Sequence, residues 1–259
     1  MPLTIQAHDL GVKLSQNTVL QTLNFVAKVG ELTVILGANG AGKSTLLAAL
    51  SGYQTPTFGH VDFLGKPLAD YSGATLATCR AVVLQAPIYP EDWYVQDYIT
   101  QGWPHEAGLL DEILQALSLT DLAGRTLKSL SGGEQQRASV ARAVYQLRVQ
   151  RPLSGMAASV LLLDEANSAM DVSVSYRVFA LLQTWAKSHN WAVIAVVHDL
   201  NLAQRFADVC LLLKQGRLVA CGQPCEVLNA AHLSATYDIE FCSVQLADGE
   251  VLWLPKLGV

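Results

Sequence analysis

Residues 37–45 read GANGAGKST, three glycines ahead of a Lys-Ser pair, set between the apolar runs 32–36 and 46–50. The first run has the length and continuity of a strand covered on both faces. The second reads as a helix that stops at Ser51-Gly52. Gly37, Gly40, Gly42, Lys43 and Ser44 therefore fit G-x-x-x-x-G-K-[ST] in the strand-to-helix setting that gives this pattern its meaning. Glycines let main-chain N–H groups turn inward onto a phosphate, and the helix N-terminus adds the positive end of its dipole. With average residue frequencies the pattern arises by chance in roughly one chain of this length in a hundred. The loop Gly37, Ala38, Asn39, Gly40, Ala41, Gly42, Lys43, Ser44, Thr45 thus predicts a nucleoside triphosphate site. Lys43 would reach the β and γ phosphates, and Ser44 would hold Mg2+ with Thr45 in support.

The rest of the chain agrees with such a core. Partially alternating segments before residue 30 predict short strands, and "RAVVLQ" predicts a buried strand ending at Gln85. From residue 86 the character changes to prolines, tryptophans and helix-period apolar positions, which predicts a helical lobe inserted at about 86–150. Strands "SVLLLDE", "AVIAVVHD" and "DVCLLLKQG" then alternate with helices, the mark of a mainly parallel sheet between helical layers. Asp248-Gly249 between two alternating runs predicts a C-terminal hairpin at about 240–255. The expected fold class is α/β, one domain over residues 1–259.

A net charge of −5 and the lack of a Lys/Arg-rich stripe exclude a wide polyanion as partner, so no nucleic acid is expected. The longest apolar runs fall short of the roughly 20 residues a bilayer requires, and no basic-then-apolar leader opens the sequence. These features predict a chain working in the cytosol. Five cysteines, mostly in apolar runs, read as reduced thiols rather than a disulfide framework. Apolar residues make up 51% of the chain, enough to leave a docking face for another protein.

Two further stretches decide the kind of triphosphate chemistry. "VLLLDE" ends in Asp164, placed to orient a Mg2+ shell, and Glu165, placed to polarise an attacking water. "LSGGEQQR", residues 130–137, opens a helix with the capping box Ser131-x-x-Glu134. Two glycines just inside that helix cost up to about 1 kcal/mol each relative to Ala, a cost that suggests amides exposed to an anion.

Together "GANGAGKST", Gln85, "LSGGEQQ", "VLLLDE", "SAMD" and "VVHD" resemble, in order and across nearly the whole chain, the ABC ATPase family. The resemblance implies a P-loop (RecA-like) core with an N-terminal antiparallel β subdomain and the helical subdomain as signalling insert. It implies that Gln85 senses Mg2+ and the γ phosphate, and that Asp164 serves the metal. Glu165 and His198 would be catalytic, His198 by contacting the γ phosphate. Ser131, Gly132 and Gly133 would contact the γ phosphate of an ATP held by the opposite subunit, with Asp171 on the loop between the two sites. Two chains head to tail then trap two ATP, and C2 symmetry follows because the same two patches meet twice.

Three departures stand out. Ala166, Asn167 and Met170 replace the family's common Pro, Thr and Leu, and loss of the proline is expected to loosen that turn. Val12 aligns where an aromatic side chain often stacks on adenine, so base stacking is expected to be weak. Arg151, Pro152, Ser154 and Gly155 lengthen the link before "VLLLDE" and read as a surface loop.

A single cassette resembles the ATPase subunit of an importer, peripheral on the cytoplasmic face of the inner membrane. Its partners would be a second copy, an integral-membrane permease and, indirectly, a periplasmic substrate-binding protein. "PLADYS" before "RAVVLQ" and the lengthened link are similar to ATPases of metal-chelate importers, most of all those for haem, with iron siderophores and vitamin B12 as alternatives. Residues 86–105, with Trp93 and Trp103, are the candidate groove for the permease; packing within the helical lobe is the other reading of those aromatics. A soluble ABC ATPase and a regulatory module that no longer hydrolyses ATP are the alternatives from other classes.

Overall fold

The computed structural model describes residues 4–85, 92–150, 158–247 and 249–256. Strands β1 (Thr4–Leu14) and β2 (Asn17–Lys28) pair antiparallel, and β3 (Leu32–Gly37), buried at every residue, feeds α1 (Lys43–Ser51). Gly52, left-handed at φ 79°, closes that helix where the sequence predicts. β4 (Phe58–Phe63) and β5 (Lys66–Pro67) return to the first sheet, whose order is β2-β1-β4-β5. α2 (Gly73–Cys79), capped by Ser72, leads into β6 (Arg80–Val83).

Helices α3 (Val95–Thr100), α4 (Ala107–Ala116) and α5 (Gly132–Val149) follow, then β7 (Ser159–Asp164), α6 (Val172–His189), β8 (Trp191–Val196), α7 (Leu200–Phe206), β9 (Val209–Lys214) and β10 (Arg217–Gly222). Short helices α8 (Pro224–Val227) and α9 (Ala230–Tyr237) precede the hairpin of β11 (Phe241–Gln245) and β12 (Val251–Pro255). The central sheet runs β10-β9-β3-β8-β7-β6, parallel throughout except at β10.

Two hydrophobic clusters explain why the strands are apolar without alternation. Val34, Leu161, Leu163 and Val193 face one cluster with Val140 and Leu182 of the helices. Ile35, Val160, Leu162 and Ile194 face the other, with Leu46 of α1 and Leu10 and Phe63 of the N-terminal sheet. Successive residues of one strand thus serve opposite faces, both of them dry.

The helical region is knitted to itself by polar contacts as well. Tyr145, fully buried on α5, donates to the Pro104 carbonyl and accepts from the Glu106 amide, both at 2.7 Å. Arg148 makes a bidentate pair with Glu112 of α4 at 2.9 and 3.0 Å. Trp93 and Trp103 are partly buried and pack against the helical cluster, so core packing accounts for much of each indole. The remainder of the groove at 86–91, the link 151–157 and Asp248 lie outside the described residues.

Three helices were not predicted. α2, α8 and α9 are each too short to show a helical period, and their caps at Ser72, Gln223 and Asn229 are their main sequence mark. Strand β6 stops at Val83, two residues before Gln85. No helix among the described residues is long and apolar enough to cross a membrane. Cys79 and Cys210 are buried free thiols, whereas Cys221 and Cys225 are exposed.

Candidate active site

Parallel strands have their carboxyl ends on one edge, and ligands of open α/β sheets sit there. In this sheet the adjacent strands β3, β8, β7 and β6 run out at that edge into the loop 37–45, His198, Asp164-Glu165 and Gln85. Residues scattered over more than half the chain thereby meet. They line a cleft of about 460 Å³ formed by Val19, Asn39, Gly40, Gly42, Lys43, Ser44, Thr45, Gln85, Glu165 and His198.

Gly42 makes the turn into α1 at φ 99°, and a Cβ there would come within 2.7 Å of Leu20 Cδ2. Only glycine combines that conformation with that contact. No side chain caps α1, so the amides of its first turn are left for an anion. Lys43 is only 5% exposed and donates from Nζ to the carbonyls of Gly37 and Ala38 at 2.9 and 3.1 Å. Ser44 Oγ donates to Asp164 Oδ1 at 3.1 Å, bringing two hard oxygen donors together.

Glu165 is the hub. Its Oε2 accepts from Gln85 Nε2 at 2.6 Å and its Oε1 lies 2.7 Å from His198 Nε2. Its backbone sits at φ 49°, a left-handed conformation that costs a non-glycine residue about 1–3 kcal/mol. That strain turns the carboxylate into the cleft directly after a buried strand.

Burial shifts two charges here against their charged forms. It holds the Lys43 amine below its ordinary value, with Glu165 and Asp164 partly opposing. It raises the Asp164 carboxyl, with the Ser44 hydrogen bond opposing and Glu165 adding to the rise. A carboxyl whose folded pKa exceeds its unfolded value favours the fold below the unfolded pKa and loses that contribution as pH rises through the folded one. At neutral pH the Asp164 charge is therefore a net cost to the protein without ligand. Asp164→Asn is expected to raise the melting temperature at pH 7, by roughly 2–4 °C for each kcal/mol recovered, and to lose that advantage at pH 3. Thermal unfolding of both proteins at the two pH values checks this.

The ABC transporter family model matches residues 20–168. The chain belongs to the ABC transporter family. It is 38% identical over 246 residues to the hemin import ATP-binding protein HmuV of Bordetella avium (strain 197N), covering 92% of this chain and 93% of that one. The corresponding protein of Pseudoalteromonas translucida (strain TAC 125) is 38% identical over 242 residues, 90% of this chain and 92% of that one. A solved metal-chelate type ABC transporter in an inward-facing conformation superposes with a TM-score of 0.79 at 26% identity, over 99% of this chain and 98% of that one. A dimeric bacterial ABC transporter cassette, at 23% identity and a TM-score of 0.72, covers 85% of this chain and 98% of that one and shares the fold. The chain is thus an ABC-type ATPase with a P-loop NTPase core.

In this ABC ATPase none of Ser131, Gly132 and Gly133 lines the cleft that its own loop forms. Ser131 caps α5 through the predicted box: Glu134 accepts from the Ser131 amide at 2.7 Å and from its hydroxyl at 2.8 Å. Those bonds hold the Glu134 carboxyl below its usual range. A Cβ on Gly133 would lie 2.8 Å from the Ala169 carbonyl, so close packing supplies a second reason for that glycine. Asp171 is exposed and caps α6, accepting from the Val174 amide and the Ser173 hydroxyl, each at 2.9 Å.

The turn after the carboxylates does without proline by another route. The Ser168 amide donates to the Glu165 carbonyl at 3.0 Å and the Met170 amide to the Asn167 carbonyl at 3.1 Å. Gln136, buried on α5, then donates to Ser168 Oγ at 2.8 Å and accepts from the Ala169 amide at 3.0 Å. Sequence reading passed over Gln136; its only mark was its place inside "LSGGEQQ". Gln136→Ala is expected to cost about 1–3 kcal/mol for the bonds lost and to slow hydrolysis by unfastening the turn that carries Glu165. Chemical denaturation alongside turnover tests both effects.

Val12 does not stand where adenine could meet it. It is fully buried in the N-terminal core, on the same face of β1 as Leu10 and paired with Leu20. The pleat that puts Leu10 inward puts Val12 inward two residues on. From this sheet it is Val19, on β2, that reaches the cleft.

Proposed function

We propose that this chain is the ATP-hydrolysing subunit of an importer for haem or a related metal chelate, two copies closing on two ATP molecules. The carrying observation is the split between sites: one chain collects loop, metal, base and histidine residues in a single cleft, while Ser131-Gly132-Gly133 caps a helix outside it. A second copy would supply those amides to the γ phosphate, with Asp171 at the seam. Contacts made only in the closed pair give ATP its power to close it, and product release reopens it.

The donor set suits Mg2+, a hard cation that prefers oxygen: Ser44, Asp164 and the Gln85 carbonyl would hold it. Bound there, it would neutralise charge developing between the β and γ phosphates. Lys43 would bind the same phosphates in exchange for its present carbonyl partners. Glu165 would take the proton of the attacking water, with Gln85 fixing the carboxylate and His198 turning from it to the γ phosphate. The Gln85 hydrogen bond to one Glu165 oxygen and the close approach of His198 to the other favour hydrolysis over a merely regulatory role.

The likeness to hemin import and metal-chelate ABC proteins supports haem as cargo and an integral-membrane permease as partner. On this reading the chain is peripheral on the cytoplasmic face of the inner membrane, with a periplasmic binding protein delivering cargo from the far side. Residues 86–105, which include the exposed Tyr94, would meet the permease beside the exposed Leu84. Purification of Glu165→Gln from membranes with MgATP is expected to bring down a permease. The reconstituted complex should hydrolyse ATP faster when its binding protein carries haem. Recovery with soluble proteins alone would contradict the assignment, and stimulation by vitamin B12 and not by haem would contradict haem as the cargo.

A further inference from the structure

The N-terminal sheet gathers three ligating side chains that the nucleotide chemistry leaves unused. His8 on β1 is the register partner of His60 on β4. Asp62, two residues beyond His60, shares its face of the strand. His8 Nε2 lies 3.3 Å from Asp62 Oδ2 and His60 Nε2 lies 3.8 Å from Asp62 Oδ1. The two imidazoles stack with centroids 4.8 Å apart and planes 21° apart, so both present Nε2 to the same carboxylate. All three ligand atoms fall within 4.8 Å of one another. His8 Nε2 is shielded from solvent and makes no hydrogen bond in spite of the nearby carboxylate.

We propose that His8, His60 and Asp62 form a binding site for a divalent transition-metal ion of the zinc type, with a remaining position open to water. Tetrahedral zinc with bonds of about 2.0–2.1 Å holds its ligand atoms roughly 3.3 Å apart. The His8–Asp62 pair already stands at 3.3 Å, while His60 approaches the other carboxylate oxygen at 3.8 Å; with all three ligand atoms within 4.8 Å, a turn of the exposed His60 toward the shared oxygen would complete the set. Two imidazoles and one carboxylate favour zinc, cobalt, nickel or copper over magnesium and calcium, which prefer oxygen alone. The site is therefore chemically distinct from the Mg2+ position at Ser44 and Asp164. A metal there would tie β1 to β4, adding a cross-link to the sheet that contributes Val19 to the ATP cleft.

Titration of the tag-free, nucleotide-free chain with Co2+ and Zn2+ tests the proposal, because Co2+ in such a ligand set absorbs in the visible and Zn2+ displaces it. One equivalent is expected to bind and to raise the melting temperature. His60→Ala should weaken binding by at least about tenfold, the loss that even outer-shell changes produce, and His8→Ala/His60→Ala should abolish it. Cys221→Ser/Cys225→Ser should bind as the native chain does, which separates these ligands from the exposed thiols. Unchanged ATP hydrolysis without added zinc would show that the histidine variants are folded. No saturable binding by the native chain, or binding that survives loss of both histidines, would overturn the site and leave an ordinary imidazole-carboxylate contact.

Discussion

Glu165→Gln is expected to lower phosphate release by about 10²–10⁴-fold, the usual contribution of a positioned general base, while leaving ATP affinity within a few-fold of native. The amide keeps the shape of the carboxylate and its neighbours Gln85 and His198, 2.6 and 2.7 Å away in the native chain. What it loses is the ability to accept the proton of water. Phosphate release under steady-state conditions, set against nucleotide binding by filter retention, separates the two quantities. Native turnover in this variant would remove Glu165 from the mechanism.

Lys43→Ala should act on the other quantity. Lys43 is buried, and its ammonium is held by two carbonyls until phosphate replaces them. Truncating one member of a desolvated charge pair costs about 2–5 kcal/mol, which is a loss of ATP affinity between roughly 30-fold and several thousandfold at about 1.4 kcal/mol per decade. The same change removes a charge that burial disfavours but strips two carbonyls of their donor, so the variant without ligand should melt close to native. Equilibrium binding of a fluorescent ATP analogue and a thermal scan read the two effects. Loss of affinity with a lower melting temperature would point to a folding defect.

Much of this arrangement was legible in the sequence because it rests on local rules. Glycine spacing set the phosphate loop, Ser131-x-x-Glu134 set the start of α5, and unbroken apolar runs set the parallel strands. The convergence of Gln85, Asp164, Glu165 and His198 is different in kind. It follows from strand order β3-β8-β7-β6, which no local pattern encodes, and only the family resemblance anticipated it. Val12 was misplaced for a pleating reason: a one-residue difference in which strand face points inward decides between core and cleft, and the irregular β1–β2 register hides it. Gln136 was missed since its partners, Ser168 and Ala169, are supplied by a turn more than thirty residues away. Missing proline likewise did not imply a loose turn, because hydrogen bonds from α5 fasten it.

The composite site can be tested by cross-linking. One chain carries Asn39→Cys on the phosphate loop and another Ser131→Cys at the start of α5, both in a Glu165→Gln background with the exposed Cys221 and Cys225 replaced by Ser. Mixed with MgATP and a short bis-maleimide, they should give a product of twice the 27.9 kDa chain that needs both partners and the nucleotide. Absence of that product, or its formation to the same extent without ATP, would contradict a nucleotide clasped between two copies.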